Sequence, residues 1–576
     1  MNRQVTNKDF LMLEGKKRNG LSMDKIMTIL CYVALITVVI LPCLMIIYYT
    51  FWDGSKIDFE MFKSVLFQAE NLKAMKNTLI IAVFATLFAT VVGVFFAWLL
   101  GRSDIPLKGI MKFLFSIPFM IPPFLAAMSW DMMFSGRGGY VNKALMSLFH
   151  LAKAPFNINS IAGIVVIEVV YYFPFVYMQV VSALERMDPT LEESARIAGA
   201  GQLHVIRTIT LPLTIPAISS GVLLVLITSL SNYGIPSMVG YSKGIFTLPT
   251  MIVELMNRAG GSFVGIRQAA ALSIVLFIVV AIALMIQRRL LTHGRYDIIK
   301  GKSMRPMLIK LRGAKLPLLV FSFVFLALVV VAPIVMIVLV SFNKAWGLPF
   351  TAENLTFIHY VNVVTKNKMV TDSVKNSLFL AFSAGLICLL LGTMLAYVIY
   401  KVKPRGGALL EMMAVLPYSL PGTVMSIGCI LAWSGAFFGI SLYNTIWIIL
   451  VAYIARYLSY VLKSSSAALQ QVHPSLEEAA RSCGASHYEA LKDVTLPLIK
   501  PAMLSGFFLV FLPCMRELTT SILLYGPKTR TLGVAIYQLR TNGQINQAAA
   551  LSVMTIILII IMNNIVKFIT RDRRKY

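Results

Sequence analysis

Charge is scarce in this chain. Asp, Glu, Lys and Arg make up 13% of its 576 residues, against about 25% in a typical soluble domain. Acidic residues are the scarcer sign, 25 against 52 basic ones. A soluble globular fold is thereby excluded. Cysteine is sparse as well. Cys31, Cys43, Cys388, Cys429, Cys483 and Cys514 form no CxxC pair, so neither a disulfide framework nor a zinc site is indicated. Most lie in apolar runs, where the thiol packs as a small hydrophobe. The six histidines (His150, His204, His293, His359, His473, His487) fall in loops or interfacial segments, with no metal-ligand spacing. The phosphate-cradling loop G-x-x-x-x-G-K-[ST] is missing. Gly301-Lys302-Ser303 has its tail, but position 296 is Tyr, and no buried strand leads into it. The chain is not expected to hydrolyse nucleotide by itself.

What is present is apolar length. The composition is 58% hydrophobic, and many runs reach the roughly 20 residues needed to cross a hydrocarbon core. A membrane β-barrel would instead show short alternating segments. The expectation is an all-α polytopic membrane protein with about 12 transmembrane helices, arranged as two parallel six-helix repeats. A net charge of +27 would suit nucleic acid, but most basic residues fall on one side of the topology below. That is the positive-inside bias of a protein whose partner is the lipid bilayer, and no nucleic-acid partner is expected.

Residues 1–25 form a basic cytoplasmic segment. The first transmembrane half covers 26–287, with spans at about 26–51, 77–100, 112–132, 160–182, 212–231 and 267–287. Residues 288–315 make a basic cytoplasmic linker. The second half, 316–576, has spans at about 316–341, 376–400, 411–433, 443–463, 498–515 and 547–568. Both termini are then cytoplasmic, and the retained first span lacks the cleavage pattern of a signal peptide. Asn77 answers Asn376, and Pro118-x-x-x-Pro122 answers Pro417-x-x-x-Pro421, at one offset of 299 residues. Gln268-Ala269-Ala270-Ala271-Leu272-Ser273 answers Gln547-Ala548-Ala549-Ala550-Leu551-Ser552. Six spans per half make the repeat parallel, with a pathway expected between the halves. The prolines of spans three and nine break local helix bonds, which is tolerated beside neighbours or a cavity.

The clearest repeat is a polar loop. Asp188-Pro189-Thr190-Leu191-Glu192-Glu193-Ser194-Ala195 runs through Gly199 to Leu211-Pro212. His473-Pro474-Ser475-Leu476-Glu477-Glu478-Ala479-Ala480 runs through Gly484 to Leu496-Pro497, at an offset of 285 residues. Thr190-x-x-Glu193 and Ser475-x-x-Glu478 read as capping boxes. Gly199 and Gly484 fall where a left-handed C′ residue is wanted. A second short helix, about 202–210 and 487–495, leads to Pro212 and Pro497, which suit the first turn of the next span. The product is a helix-turn-helix elbow within loops 188–212 and 473–497, with Ala195 and Ala480 allowing close approach. One reading makes the elbows mere connectors whose glutamates cap helices. The other makes them two sockets for a two-fold symmetric cytoplasmic partner.

The elbow resembles the EAA loop of permease subunits of bacterial ATP-binding-cassette importers, E-A-A-x-x-x-G followed by a spacer and L-P. Glu478-Ala479-Ala480 with Gly484 matches in full. Glu193-Ser194-Ala195 with Gly199 departs by Ser for Ala. The resemblance spans nearly the whole chain. It implies a type I importer-like fold in a bacterial cytoplasmic membrane, with Glu193, Ser194, Ala195, Gly199, Glu478, Ala479, Ala480 and Gly484 as ATPase-coupling residues. It implies two partners, a cytoplasmic ATPase homodimer that binds ATP and magnesium and an extracytoplasmic substrate-binding protein, with no cofactor in this chain. Fusion of the halves, together with Ser231-Asn232-Tyr233-Gly234-Ile235-Pro236 and Met515-Arg516-Glu517-Leu518-Thr519, resembles the ferric-iron importer permeases. Ferric iron is the implied cargo, and aminoethylphosphonate, thiamine or polyamine are the alternatives.

Ionisable residues in apolar runs are costly unless paired or wet. Glu168 in span four, Arg456 in span ten, and Arg516 and Glu517 at the outer end of span eleven line a pathway or gate, with Asn232 and Tyr233, or else form structural ion pairs. Asp131, near an interface, is expected to be solvated. A different class of function, an ion-driven secondary transporter, would need a relay of intramembrane carboxylates. Glu168 and Glu517 are the available ones, and the elbows would then have no purpose.

Overall fold

Proline and small residues explain most of the architecture. The computed structural model describes residues 23–53, 55–260, 262–292, 308–435 and 439–570. Most of the N-terminal segment, the middle of the linker and the tail Arg571–Lys575 lie outside the described residues. The described residues are helical, with isolated bridges and no strand. In the first half the principal helices are α1 (Met23–Phe51) and α2 (Ala69–Arg102), then α3 (Lys108–Met120) and α4 (Pro123–Phe134), then α5 (Ile161–Arg186). They continue with α6 (Thr190–Ile197), α7 (Gln202–Leu230), α8 (Gly234–Val239), α9 (Leu248–Arg258) and α10 (Phe263–Thr292). In the second half they are α11 (Arg312–Phe342), α12 (Lys368–Val402), α13 (Gly407–Ser419), α14 (Gly422–Trp433) and α15 (Ile446–Leu469). These are followed by α16 (Pro474–Ser482), α17 (Tyr488–Met515), α18 (Ser521–Leu524), α19 (Leu532–Thr541) and α20 (Ile545–Thr570). Ten of these helices are long and apolar enough to cross a membrane, or up to 12 crossings if α3/α4 and α13/α14 each count as one.

Those two pairs are spans three and nine, where prolines were expected to break local helix bonds, and each is bent into two helices. α3 and α4 meet at 94°, α13 and α14 at 113°. The bend falls at Ile121 and Leu420, the residues before Pro122 and Pro421. Both take extended backbone angles, φ −83° and −85°, as the ring of a following proline dictates. A proline effect also shapes four long helices. The five-residue wide turns at Ile36–Ile40, Ile206–Thr210, Ala327–Val331 and Leu491–Thr495 each end two residues before a proline: Pro42, Pro212, Pro333 and Pro497. The ring cannot donate to the preceding turn and crowds it, so the turn widens. The second elbow helix is consequently no separate element. It runs without a break into span five or eleven, giving α7 and α17.

Each half has a three-helix centre, α2/α5/α7 and α12/α15/α17. Glycine lets these helices meet. A methyl added at Gly93 would lie 2.8 Å from Val176 Cβ, and one at Gly221 2.7 Å from Val176 Cα. In the second half, Gly392 and Gly506 clasp Val461 at 2.8 and 3.2 Å in the same way. Small residues at such crossings are how membrane helices approach closely. The first helix of each half also reaches across: α1 packs on α13 and α14, and α11 packs on α4. On the face away from the elbows, residues 230–240 are buried. Asn77 donates to Phe246 O at 2.9 Å, and Thr78 Oγ1 accepts from Leu248 N at 2.7 Å, tying α9 to α2. Asn376 and Ser377 repeat this clamp on Lys528 O, Arg530 O and Leu532 N, all within 3.0 Å.

Candidate functional site

The elbows come first. α6 and α16 are single short amphiphilic helices that end as expected. Gly199 and Gly484 have φ of +87° and +94°. The amides of Ala200 and Ala485 reach back to Ala195 O and Ala480 O at 3.0 and 3.1 Å, closing a Schellman turn. The helix starts differ from expectation. No capping box forms. The Asp188 carboxylate accepts from Thr190 N–H and Oγ1–H at 2.9 and 2.8 Å. His473 Nδ1 accepts from Ser475 N–H at 3.3 Å. The first helix starts one residue and the second two residues before the assumed position, with N-caps Pro189 and His473 in place of Thr190 and Ser475, so Glu193 and Glu478 close no capping box.

The two glutamates of each Glu-Glu pair therefore point differently. Glu478 is exposed and Glu193 half-buried, whereas Glu192 is 5% exposed. Thr210 Oγ1 donates to Glu192 at 2.6 Å, and the buried Arg102 guanidinium at the end of α2 lies 3.7 Å away. In the second copy Thr495 Oγ1 donates to Glu477 at 2.5 Å, and Lys401 at the end of α12 lies 3.4 Å away. The inner glutamate thus joins three elements: elbow helix, following span and span two or eight. These anchors were not singled out from the sequence, although their recurrence at the repeat offsets was the available signal. Ser194, Gly199, Ala479 and Gly484 are exposed, and Ala195 and Ala480 half-buried. Apolar side chains also face outward at matching positions, Leu191 with Leu476 and Leu203 with Tyr488.

A cavity of about 480 Å³ lies where the halves meet, walled by α5, α7, α15, α17 and α20. Its first-half wall includes Tyr171, Ser231 and Asn232, and its second-half wall Arg456, Arg516 and Glu517. These are repeat equivalents, in that order, at the elbow offset of 285 residues. Glu517 accepts from Arg456 Nη1 at 3.2 Å, from Tyr457 OH at 2.5 Å and from Thr520 N–H at 2.8 Å. Arg456 Nη1 also donates to Thr520 Oγ1 at 2.6 Å. Glu168 is fully buried and bound by Ser229 and by Asn232 Nδ2, the latter at 2.9 Å. It lies outside the cavity lining and holds the α7–α8 corner against α5. Both halves pin this corner with one carboxylate, from α5 in the first half and from the corner itself in the second.

Tyr233 also lies outside the cavity. It is 1% exposed and its ring centroid is 6.1 Å from that of Tyr537, in the other half. Asp131 is not solvated. It pairs with Arg540 of the other half and accepts from Asn159 Nδ2 at 2.9 Å. Arg540 also reaches Met238 O at 3.4 Å. These contacts join the two halves on the face away from the elbows. Among the described residues no group of three or more His, Cys, Asp or Glu is placed to hold a metal ion.

Two repeated halves, a cavity on their shared boundary and a matched pair of elbows on one face define a helical membrane permease. The chain belongs to the family of binding-protein-dependent transport system inner membrane components, whose pattern matches residues 89–292 and 388–575. The two matched stretches make it a fused two-half permease of a bacterial ATP-binding-cassette importer. A putative ferric transport system permease protein of Haemophilus influenzae is 26% identical over 508 residues, 88% of this chain and 78% of the relative. A putative 2-aminoethylphosphonate transport system permease protein of Salmonella paratyphi A is 28% identical over 230 residues, 40% of this chain and 85% of the relative. A crystal structure of a bacterial transporter involved in alginate import overlays on 45% of this chain and 96% of its own, at 17% identity and a TM-score of 0.38.

Proposed function

We propose that this permease forms the translocation pathway of an ATP-driven importer and is worked by a separate cytoplasmic ATPase dimer through its two elbows. The observation that carries the coupling is the doubling of one surface. Each elbow offers its second glutamate, half-buried Glu193 or exposed Glu478, beside outward apolar side chains, Leu191 and Leu203 or Leu476 and Tyr488. Apolar side chains grouped on an exposed face mark a partner surface, and two copies suit a two-fold partner. ATP and magnesium belong to that partner. Closure of the dimer moves α6 and α16. The inner glutamates pass the motion to α7 and α17 and to the ends of α2 and α12, and the cavity changes the side on which it opens. An extracytoplasmic binding protein delivers cargo to the face opposite the elbows.

Ferric iron is the cargo this reading favours, because the ferric transport relative spans 88% of the chain and the aminoethylphosphonate relative 40%. Two measurements test the proposal. Co-purification with the cognate ATPase is compared between wild type and a Glu193→Arg, Glu478→Arg double variant. Normal association and transport by the variant overturn the socket. Calorimetry of the cognate binding protein against ferric ion, aminoethylphosphonate, thiamine and polyamines decides the cargo.

A further inference from the structure

The central cavity is symmetric in shape and asymmetric in charge. Its first-half wall carries Tyr171, Ser231 and Asn232, which are neutral, where the second-half wall carries Arg456, Arg516 and Glu517. The one carboxylate of this set is occupied. Both Glu517 oxygens accept bonds, from Arg456, Tyr457 and the Thr520 amide. Two guanidinium groups against one satisfied carboxylate leave the lining with a net positive charge. Arg516 lies near enough to Tyr171 of the first half and Tyr460 of the second to interact electrostatically with both. All three residues line the cavity.

Space has been made for the second guanidinium. Gly422, the first residue of α14, faces Arg456, and a methyl group there would fall 1.9 Å from Nη1. The repeat equivalent of Gly422 is Pro123, opposite the uncharged Tyr171 wall. Hydroxyl and amide groups complete the lining, among them Thr228, Ser231 and Asn563. The volume, about 480 Å³, falls in the range of roughly 300–1,000 Å³ typical of small-molecule sites. A bare trivalent cation would be repelled here. Planar, five-donor guanidinium groups instead match the oxygens of phosphonate, phosphate or carboxylate.

We propose that the cavity is an oxyanion-binding site, with Arg516 as the principal counter-charge and Arg456 as a second donor, and that cargo crosses carrying net negative charge. This rests on the importer reading and narrows it. A phosphonate passes as itself, and ferric iron passes as an anionic chelate.

The test uses the full-length chain in lipid nanodiscs, without its ATPase. Melting temperature is followed with added methylphosphonate, citrate, ferric citrate and putrescine, each compared with potassium chloride at equal ionic strength. An oxyanion is expected to raise the melting temperature by a few degrees and putrescine to leave it unchanged. Methylphosphonate acting alone assigns a phosphonate cargo; citrate and its ferric complex acting alone assign a carboxylate chelate. Arg516→Gln is expected to abolish the shift and Arg516→Lys to retain part of it. The proposal is overturned if no oxyanion exceeds the chloride control, if putrescine exceeds the oxyanions, or if Arg516→Gln shifts as wild type does. Co-purification of wild type with the ATPase is scored separately. Its failure counts against the importer reading and leaves the anion measurement standing.

Discussion

Thr210 donates a hydrogen bond of 2.6 Å to Glu192, eighteen residues earlier in the chain. The bond crosses the elbow from the start of α7 back to α6, and Arg102 approaches the same carboxylate from α2. Thr495, Glu477 and Lys401 repeat the arrangement.

Exchanging the inner glutamates for glutamine in a Glu192→Gln, Glu477→Gln double variant should separate docking from coupling. The second glutamates stay in place, so the ATPase is expected to co-purify. Each lost charge-assisted contact is worth about 1.5–3 kcal/mol, so substrate uptake in proteoliposomes is expected to fall at least about tenfold. Uptake at the wild-type rate would show that the anchors transmit nothing.

Gly199→Ala and Gly484→Ala test the elbow turn. Open space surrounds both positions, so the cost is one of backbone alone, about 1–2 kcal/mol for a side chain in the left-handed region. Affinity for the ATPase, read by titration in nanodiscs, is expected to fall by roughly five- to thirtyfold. Asparagine, which visits this region more readily, should lose less than alanine.

Arg456 and Glu517 suit a double-mutant cycle. Arg456→Met alone leaves a buried carboxylate without its cation and is expected to destabilise by about 3–5 kcal/mol, seen as a lower thermal midpoint. Adding Glu517→Gln should restore much of the loss, since the two sites are in contact. Additive losses would mean that the pair is not coupled.

Acid should release the end of the linker from α2. Leu311 N–H donates to Asp104 at 2.9 Å and Lys315 lies 3.1 Å away, while Ile309 N–H bonds Arg102 O at 2.8 Å. The bond from Leu311 first, and Lys315 with it, holds the Asp104 carboxyl below the usual carboxylate value. A lowered folded value means full stabilisation above the unfolded value of about 3.9, lost as pH falls through the folded one. Hydrogen-exchange protection of Ile309 and Leu311 is expected to be flat from pH 7 to about 5 and to drop below about 4. Asp104→Asn should hold protection near the acid level of the wild type across the whole range and remove the step.

Asp131 and Arg540 join the halves on the face away from the elbows. Asp131→Asn should loosen that junction. A cysteine introduced by Tyr233→Cys, buried beside Tyr537 in the parent, is then expected to react faster with a water-soluble maleimide. Unchanged labelling would show that the pair does not hold this junction together.

Much of this was legible in one sequence. Gly199 and Gly484 announced their turns because a left-handed residue after an amphiphilic helix has few solutions. Asn77 and Asn376 stood out as a repeated polar pair at the head of a span, and their clamp on the following outer helix explains them. The bends at Ile121 and Leu420 were partly legible: proline marked the break, but nothing local set its angle. Glu192 and Glu193 were not separable. Neighbours on a helix point about 100° apart, and which one faces the bundle depends on where the helix starts, here decided by Asp188 and His473.

Spacing, hydropathy and internal repetition by themselves determined an all-helical membrane chain, its two parallel halves and a pair of equivalent elbows. These follow from periodicity and from the lengths a bilayer demands, which are properties of the chain read in line. Only the tertiary structure decided that Tyr171, Ser231 and Asn232 face Arg456, Arg516 and Glu517 across one cavity. It also decided that Asp131 meets Arg540 rather than water, 409 residues away. Such pairings depend on how two packed halves turn toward each other. That is set by glycine contacts and proline bends summed over many helices, and no local pattern encodes it.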